Sequence, residues 1–189
     1  MTVLLIRHGM TKLGEEKRYQ GSLDSPLSEQ GRAALKRADF DPAHVYVSPM
    51  LRARETAAIL FPKSEQIVVS DLREMDFGAF EGRGWWEMEH DSAYRAWVDG
   101  ECLSRCPEGE DRNGFTERVN AAMGDLLRKE EDCAVIVAHG GTQMAALGEH
   151  AFPRRDYFAW QTACGCGWLL EYDRERNSFA VLQEVDYRK

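Results

Sequence analysis

Arg7-His8-Gly9, with Thr11 two residues on, sits directly behind the apolar run Val3-Leu4-Leu5-Ile6. A second apolar run, Ala134 to Ala138, leads into His139-Gly140-Gly141-Thr142. Strand ends are where open α/β sheets bind ligands, so two strands that each deliver a histidine onto a glycine turn predict two imidazoles at one site. Their expected partners are Arg7 and Arg52, whose planar forks match the oxygens of a phosphate. A neutral imidazole is a competent nucleophile toward phosphorus. A second imidazole can donate to the equatorial oxygens as charge shifts in the transition state. The glycines let backbone N–H groups approach an anion closely. A departing alkoxide also needs a proton. Glu74, flanked by Leu72, Met75 and Phe77, is the candidate donor, because apolar neighbours favour an uncharged carboxyl; Asp76 is the weaker one. Taken singly, these residues read as a turn histidine, a salt-bridging arginine and a surface acid. The joint pattern is what points to phosphoryl chemistry.

The elements that must position these groups follow from the pattern of apolar residues. Val3–Ile6, Val45–Val47, Ile67–Val69 and the run before His139 are short and continuous, as buried strands are. Leu27-Ser28-Glu29-Gln30 predicts a helix capped by Ser28 and running to about Asp39. Ser48-Pro49 predicts another, with the serine as cap and the proline in the first turn, placing Arg52 near a helix N-terminus that favours anions. Residues 85–98 read as one aromatic-rich helix with Trp86, His90, Tyr94 and Trp97 near one face. That face either packs the core or borders the pocket and favours a flat leaving group. Phe115 to Leu127 has a helical period. Gly167–Tyr172 and Phe179–Leu182 read as a closing pair of strands. Strands alternating with helices predict a three-layer α/β/α sandwich with a mostly parallel central sheet and an antiparallel strand at the C-terminal end. The expectation is a single domain over residues 1–189, with residues 84–114 inserted as a small helical cap.

Composition narrows the partners. The chain has 189 residues and a net charge of −8, from 32 acids against 24 bases. An acidic chain without a basic stripe is a poor ligand for nucleic acid or an anionic membrane. An anionic substrate must therefore be held by a small local cluster of positive charge. No apolar stretch approaches a membrane span and no basic leader precedes the first strand, so a cytoplasmic location is expected. Five cysteines, Cys102, Cys106, Cys133, Cys164 and Cys166, form no disulfide framework by count, and neither close pair has the usual zinc spacing. Free thiols are expected.

The motifs resemble those of the histidine phosphatase superfamily, the phosphoglycerate mutase-like family. Arg7-His8-Gly9-x-Thr11 matches its signature, and Gln20-Gly21 with Asp24-x-Pro26-Leu27-Ser28-x-x-Gly31 continues that loop. Ser48-Pro49-x-x-Arg52-Ala53-x-x-Thr56-Ala57, Leu72-Arg73-Glu74-x-Asp76-Phe77-Gly78-x-Phe80-Glu81-Gly82 and Ala138-His139-Gly140-Gly141 follow in the family's order. The resemblance implies that His8 carries the phosphoryl group as phosphohistidine. It also implies that Arg7, Arg52 and His139 surround the phosphate, that Glu74 is the proton donor, and that Thr11, Gln20, Gly21 and the Gly140 backbone line the pocket. It implies no metal or other cofactor, and a small-molecule phosphomonoester as substrate. Gly14 stands where mutases of the family carry asparagine, and the mutase tyrosine motif after the acid is missing. Little chain separates Glu74 from His139 to seal an intermediate from water. The phosphatase branch, which includes α-ribazole phosphatases, is the closer resemblance. A phosphoglycerate-type mutase and a non-catalytic phosphate-binding module are the alternatives.

Overall fold

The computed structural model describes residues 1–189. Its strands are β1 (Thr2–Arg7), β2 (His44–Val47), β3 (Glu65–Val68), β4 (Cys133–Ala138), β5 (Ala151–Phe152), β6 (Cys166–Asp173) and β7 (Ser178–Asp186). The helices are α1 (Lys12–Glu15), α2 (Glu29–Ala34), α3 (Leu51–Leu60), α4 (Ser92–Asp99), α5 (Arg112–Leu127) and α6 (Gly140–Gly148). All seven strands form one sheet in the order β3-β2-β4-β1-β6-β7-β5. The half that holds β3, β2, β4 and β1 is parallel, whereas β6 pairs antiparallel with both β1 and β7. The mostly parallel α/β sandwich expected from the alternation of elements is the one observed.

The strands at the centre alternate with period two, as a sheet covered on both faces requires. Leu4 and Ile6 of β1 join Val45, Val47, Val135 and Val137 on one face, where Ala53, Ala57 and Leu60 of α3 cover them. Val3 and Leu5 turn to the other face, with Ile136, Phe115, Val119, Met123 and Ala145 of the α5–α6 layer. Leu5 and Ile6 are wholly buried, so truncating either to alanine would cost about 2–5 kcal/mol.

Three local expectations need correction. Helix α2 is capped by the Ser28 hydroxyl, which accepts from Gly31 N–H, but it stops at Ala34. There Leu35 turns extended and bridges to Arg188, and Lys36 N–H donates to the Tyr187 carbonyl; pairing with the C-terminal segment outcompetes the helix. Helix α3 starts at Leu51, not at Pro49, and Ser48 does not cap it. The first N–H groups are served from outside instead: the Asp24 carboxylate accepts from Leu51 N–H at 2.6 Å.

The segment 85–98 is not one helix. A single 3-10 turn covers Trp85–Glu87, and the chain breaks where the Asp91 carboxylate accepts from Ala93 and Tyr94 N–H to start α4. An N-cap in mid-segment ends the helical period. Tyr94 and Trp97 are buried in the core, while Trp86 is exposed and stacks against Arg18. His90 is exposed as well.

Candidate active site

The site forms at the C-terminal ends of β1 and β4. These strands run parallel in register from Thr2↔Cys133 to Arg7↔Ala138, and His8 N–H continues the ladder by donating to the Ala138 carbonyl at 2.9 Å. The next residue on each strand is therefore a histidine at the same level. The two rings meet edge to face with centroids 5.1 Å apart.

His8 Nδ1 lies 2.7 Å from the Gly9 carbonyl. A carbonyl only accepts, so Nδ1 carries the proton and Nε2 keeps its lone pair. Burial, followed by the charges of Arg52 and Arg7, holds the His8 pKa well below the usual histidine value, which keeps the ring neutral. His139 is wholly buried behind it. Its Nε2 is 2.7 Å from the Ser48 hydroxyl, and its Nδ1 is buried with no protein partner. Burial, then Arg52, His8 and Arg7, push its pKa down in the same direction.

The guanidinium groups are held by backbone carbonyls. Arg7 Nη1 donates to Thr162 O at 2.6 Å, while Arg52 Nη1 and Nη2 donate to Leu23 O and Gly21 O, each at 2.8 Å. Their Nε atoms are buried and unpaired. Burial lowers the Arg52 pKa, opposed first by the Glu74 carboxylate; an arginine nonetheless stays charged. Two fixed cations and a buried imidazole nitrogen without partners make a cradle whose remaining donors suit a tetrahedral oxyanion.

Behind the cradle stands a frame of hydroxyls and amides. Thr56 Oγ1 accepts from Gly9 N–H and donates to the Arg52 carbonyl, tying the His8 loop to α3. Gln143 donates to Leu5 O and accepts from both Thr162 N–H and Thr162 Oγ1, which fixes the carbonyl that orients Arg7. Thr11 Oγ1 donates to Gln20 Oε1 and caps α1 through Gly14 N–H. Gly21 adopts a left-handed φ of +49°, and a Cβ there would lie 2.8 Å from the Met75 carbonyl, so the turn that offers its carbonyl to Arg52 calls for glycine.

Glu74 faces this cradle. Its carboxylate accepts from Met75 N–H at 3.0 Å and from Gly141 N–H, at the start of α6, at 3.2 Å. A Cβ at Gly141 would overlap that carboxylate and crowd the Phe115 ring, so a side chain there would displace Glu74 from this position. The loop behind it is clamped by Arg118 of α5. That side chain donates to the carbonyls of Asp71 and Arg73, at 2.9 and 3.1 Å, and to both carboxylate oxygens of Glu110, at 3.0 and 2.7 Å. Asp76 only closes its own turn, through Gly78 N–H. Glu81 accepts from Ser22 and Phe77 N–H, joining the acid loop to the Gly21 loop.

A cavity of about 310 Å³ opens here, lined by Arg7, His8, Thr11, Gln20, Gly21, Arg52 and Glu74, whereas His139 lies wholly buried behind His8 and is not part of its wall. Gly141 borders it, whereas Gly140 packs against Gln161. Trp97 reaches the cavity wall; Tyr94 and Trp86 do not. Larger grooves of about 450 and 810 Å³ lie elsewhere and contain none of these residues. The five cysteines are free thiols.

Sequence reasoning missed Ser48 as the partner of His139, and missed the supporting roles of Thr56, Gln143, Thr162 and Arg118. Ser48 and Thr56 carry a signal, since both stand in the Ser48-Pro49-x-x-Arg52-Ala53-x-x-Thr56 motif, but the strand-end hydroxyl of Ser48 reads as a helix cap.

The fold and site define a phosphoryl-handling α/β enzyme, and the chain belongs to the histidine phosphatase superfamily (branch 1), whose model matches residues 3–185. Among similar proteins is "Putative phosphoserine phosphatase 2" of Hydrogenobacter thermophilus, 34% identical over 76% of this chain and 75% of its own. The phosphoglycerate mutase of Thermus thermophilus is 29% identical, with a TM-score of 0.73 over 98% of each chain. The α-ribazole phosphatase of Shigella flexneri shares the fold at 23% identity, with a TM-score of 0.77 over 96% of each chain. No helix is long and apolar enough to cross a membrane.

Proposed function

We propose that the protein hydrolyses a small phosphomonoester through a phosphohistidine on His8, without a metal, and that residues 84–114 cap the leaving-group side of the site. The observation that carries this reading is the 2.7 Å contact between His8 Nδ1 and the Gly9 carbonyl beside two arginines: an acceptor there takes the Nδ1 proton and leaves Nε2 free to act as a nucleophile.

Arg7, Arg52 and His139 hold the phosphate oxygens while His8 Nε2 attacks phosphorus in line with the leaving oxygen. As the P–O bond breaks, Glu74 in its acid form gives its proton to the departing alkoxide. Water then attacks the phosphohistidine, Glu74 takes a proton from that water, and inorganic phosphate leaves with His8 neutral again. Thr11, Gln20, Gly21 and the glycine turn after His139 shape the pocket around the phosphate. The family and the relative named as a phosphoserine phosphatase support hydrolysis, and a cytoplasmic location accords with it.

The experiment is a rapid acid quench during turnover of p-nitrophenyl phosphate. An acid-labile phosphoenzyme that disappears in His8→Ala is expected, and EDTA should leave turnover intact. Turnover surviving in His8→Ala would end the proposal. A phosphoglycerate-type mutase shares the cradle and would isomerise a monophosphoglycerate without releasing phosphate. A binding module would form no phosphoenzyme at all.

A further inference from the structure

A second cavity, of about 450 Å³, lies at the end of the sheet where β1 and β4 begin, between the C-terminal half of α5, the end of α6 and the β6–β7 hairpin. Tyr172 N–H ties that hairpin to the start of β1 by donating to the Met1 carbonyl at 2.7 Å. Strand β1 is six residues of extended chain, so its two ends, with this cavity at one and His8 at the other, stand about 20 Å apart. The floor is buried and apolar: Met123 and Leu127 of α5, Ala146 of α6, and Phe179, whose ring lies 4.9 Å from that of Tyr172. The rim is polar, with Asn120, Arg128, His150, Arg174 and Asn177.

Two features of this cavity have no structural purpose elsewhere in the fold. The first is its charge. One carboxylate, Asp125, stands in the wall, and Arg128 pairs with it. Arg174 has no carboxylate partner; its Nη2 makes only long contacts, at 3.4 Å to the Glu131 carbonyl and 3.4 Å to Met1 Sδ. Its remaining N–H groups are uncommitted, in a protein of net charge −8. The second feature is Gly124, in the interior of α5 and in the cavity wall. A helix interior disfavours glycine relative to alanine. Neither backbone nor packing asks for glycine here: its φ is not left-handed, and an added Cβ would approach only the tip of the Arg128 side chain, at 3.3 Å. What a side chain at position 124 would take up is cavity space.

We propose that this rear cavity is a binding site, separate from the phosphate cradle, for a small organic anion. A flat apolar body lies on the floor of Met123, Leu127 and Phe179, and one anionic group pairs with the free guanidinium of Arg174. An apolar concavity with a few polar groups at its rim is the usual form of a small-molecule site. An occupant there does not compete with a substrate at His8.

The test uses 8-anilinonaphthalene-1-sulfonate, a fluorescent organic anion of this kind, and N-phenyl-1-naphthylamine, the same body without the sulfonate. Orthovanadate is kept in excess to fill the phosphate cradle. One equivalent of the sulfonate should bind, about 10-fold more tightly than the uncharged amine, the scale of one charge-assisted hydrogen bond. Arg174→Gln should erase that preference and leave the affinity for the amine unchanged. Gly124→Leu should abolish binding of both. A loosened fold raises the fluorescence of such dyes, so unfolding cannot imitate these losses. Absence of saturable binding, displacement by orthovanadate, equal affinity for the two dyes in the unmodified protein, a preference that survives in Arg174→Gln, or undiminished binding in Gly124→Leu would each overturn the site.

Discussion

Ser48 Oγ lies 2.7 Å from His139 Nε2, and both residues are wholly buried. The hydroxyl also accepts weakly from Met50 N–H at 3.3 Å, so its proton is free to face the imidazole. A hydrogen bond at one ring nitrogen fixes which tautomer the other presents. Ser48 thus sets which hydrogen-bonding role the unpaired Nδ1 of His139 can play. Ser48→Ala should lower kcat by about 3- to 10-fold, the scale of one lost neutral hydrogen bond, with little change in KM. Ser48→Thr should recover most of the loss. Steady-state kinetics on p-nitrophenyl phosphate decides this; an unaltered kcat in Ser48→Ala would detach the serine from the chemistry.

The depressed histidine pKa values make a kinetic prediction. His8 must be neutral to attack, and its pKa in the free enzyme lies well below the ordinary 6.5. The acid limb of the kcat/KM profile, measured with a substrate whose own ionisation is known, should therefore fall off below pH 6.5. A limb centred at or above 6.5 would mean that the arginines and burial do not govern the nucleophile.

The same shifts predict how stability responds to acid. Folded His8 and His139 stay neutral well below pH 6.5, whereas in the unfolded chain each takes up a proton near 6.5. The unfolded state binds more protons, so stability rises with pH through this window and falls as pH drops below about 6.5. Each histidine contributes at most about 1.4 kcal/mol per pH unit. Urea unfolding at pH 7.5, 6.5 and 5.5 measures the slope, and His139→Asn should flatten it.

Glu74→Gln tests the proton donor. Alkyl phosphates leave as strong bases and need the proton; p-nitrophenolate does not. In kcat/KM, which reports the steps up to the phosphohistidine, the substitution should slow an alkyl phosphate by about 100- to 10,000-fold and the aryl ester far less. Equal slowing of both in kcat/KM would remove Glu74 from protonation of the leaving group.

Arg118 should act on the same step at one remove. Arg118→Met releases the carbonyls of Asp71 and Arg73 and leaves Glu110, only 24% exposed in its side chain, without its closest cation. A stability loss of roughly 1–3 kcal/mol is expected. The alkyl-to-aryl ratio of kcat/KM should shift in the direction expected for Glu74→Gln. A stability loss with an unchanged ratio would confine Arg118 to structure.

The strands and the residues gathered around the cavity were legible in the sequence because both are local signals. Continuous apolar runs at Val3–Ile6 and Ala134–Ala138 marked the buried strands, and each chemical residue followed its strand or loop motif directly. Competition between local and distant partners was harder to read. Leu35 leaves its helix to pair with Arg188, at the far end of the chain, and Asp24 takes over the capping of α3 that Ser48 was expected to provide. Asp91 splits the aromatic segment with a cap that the helical period of 85–98 had masked. The supports of Arg7 come from Gln143 and Thr162, whose polarity carries no motif.

The Arg7↔Ala138 register has a bearing on how such a site persists while its surroundings change. The separation of the two imidazoles is set by a backbone ladder, not by the shapes of the side chains beneath it. The letters of the two hydrophobic runs can therefore be exchanged for others of similar bulk while the reacting atoms keep their places. Inserting or deleting one residue in either run would instead carry one histidine out of step with the other. The length of these strands, more than their spelling, holds the two rings level.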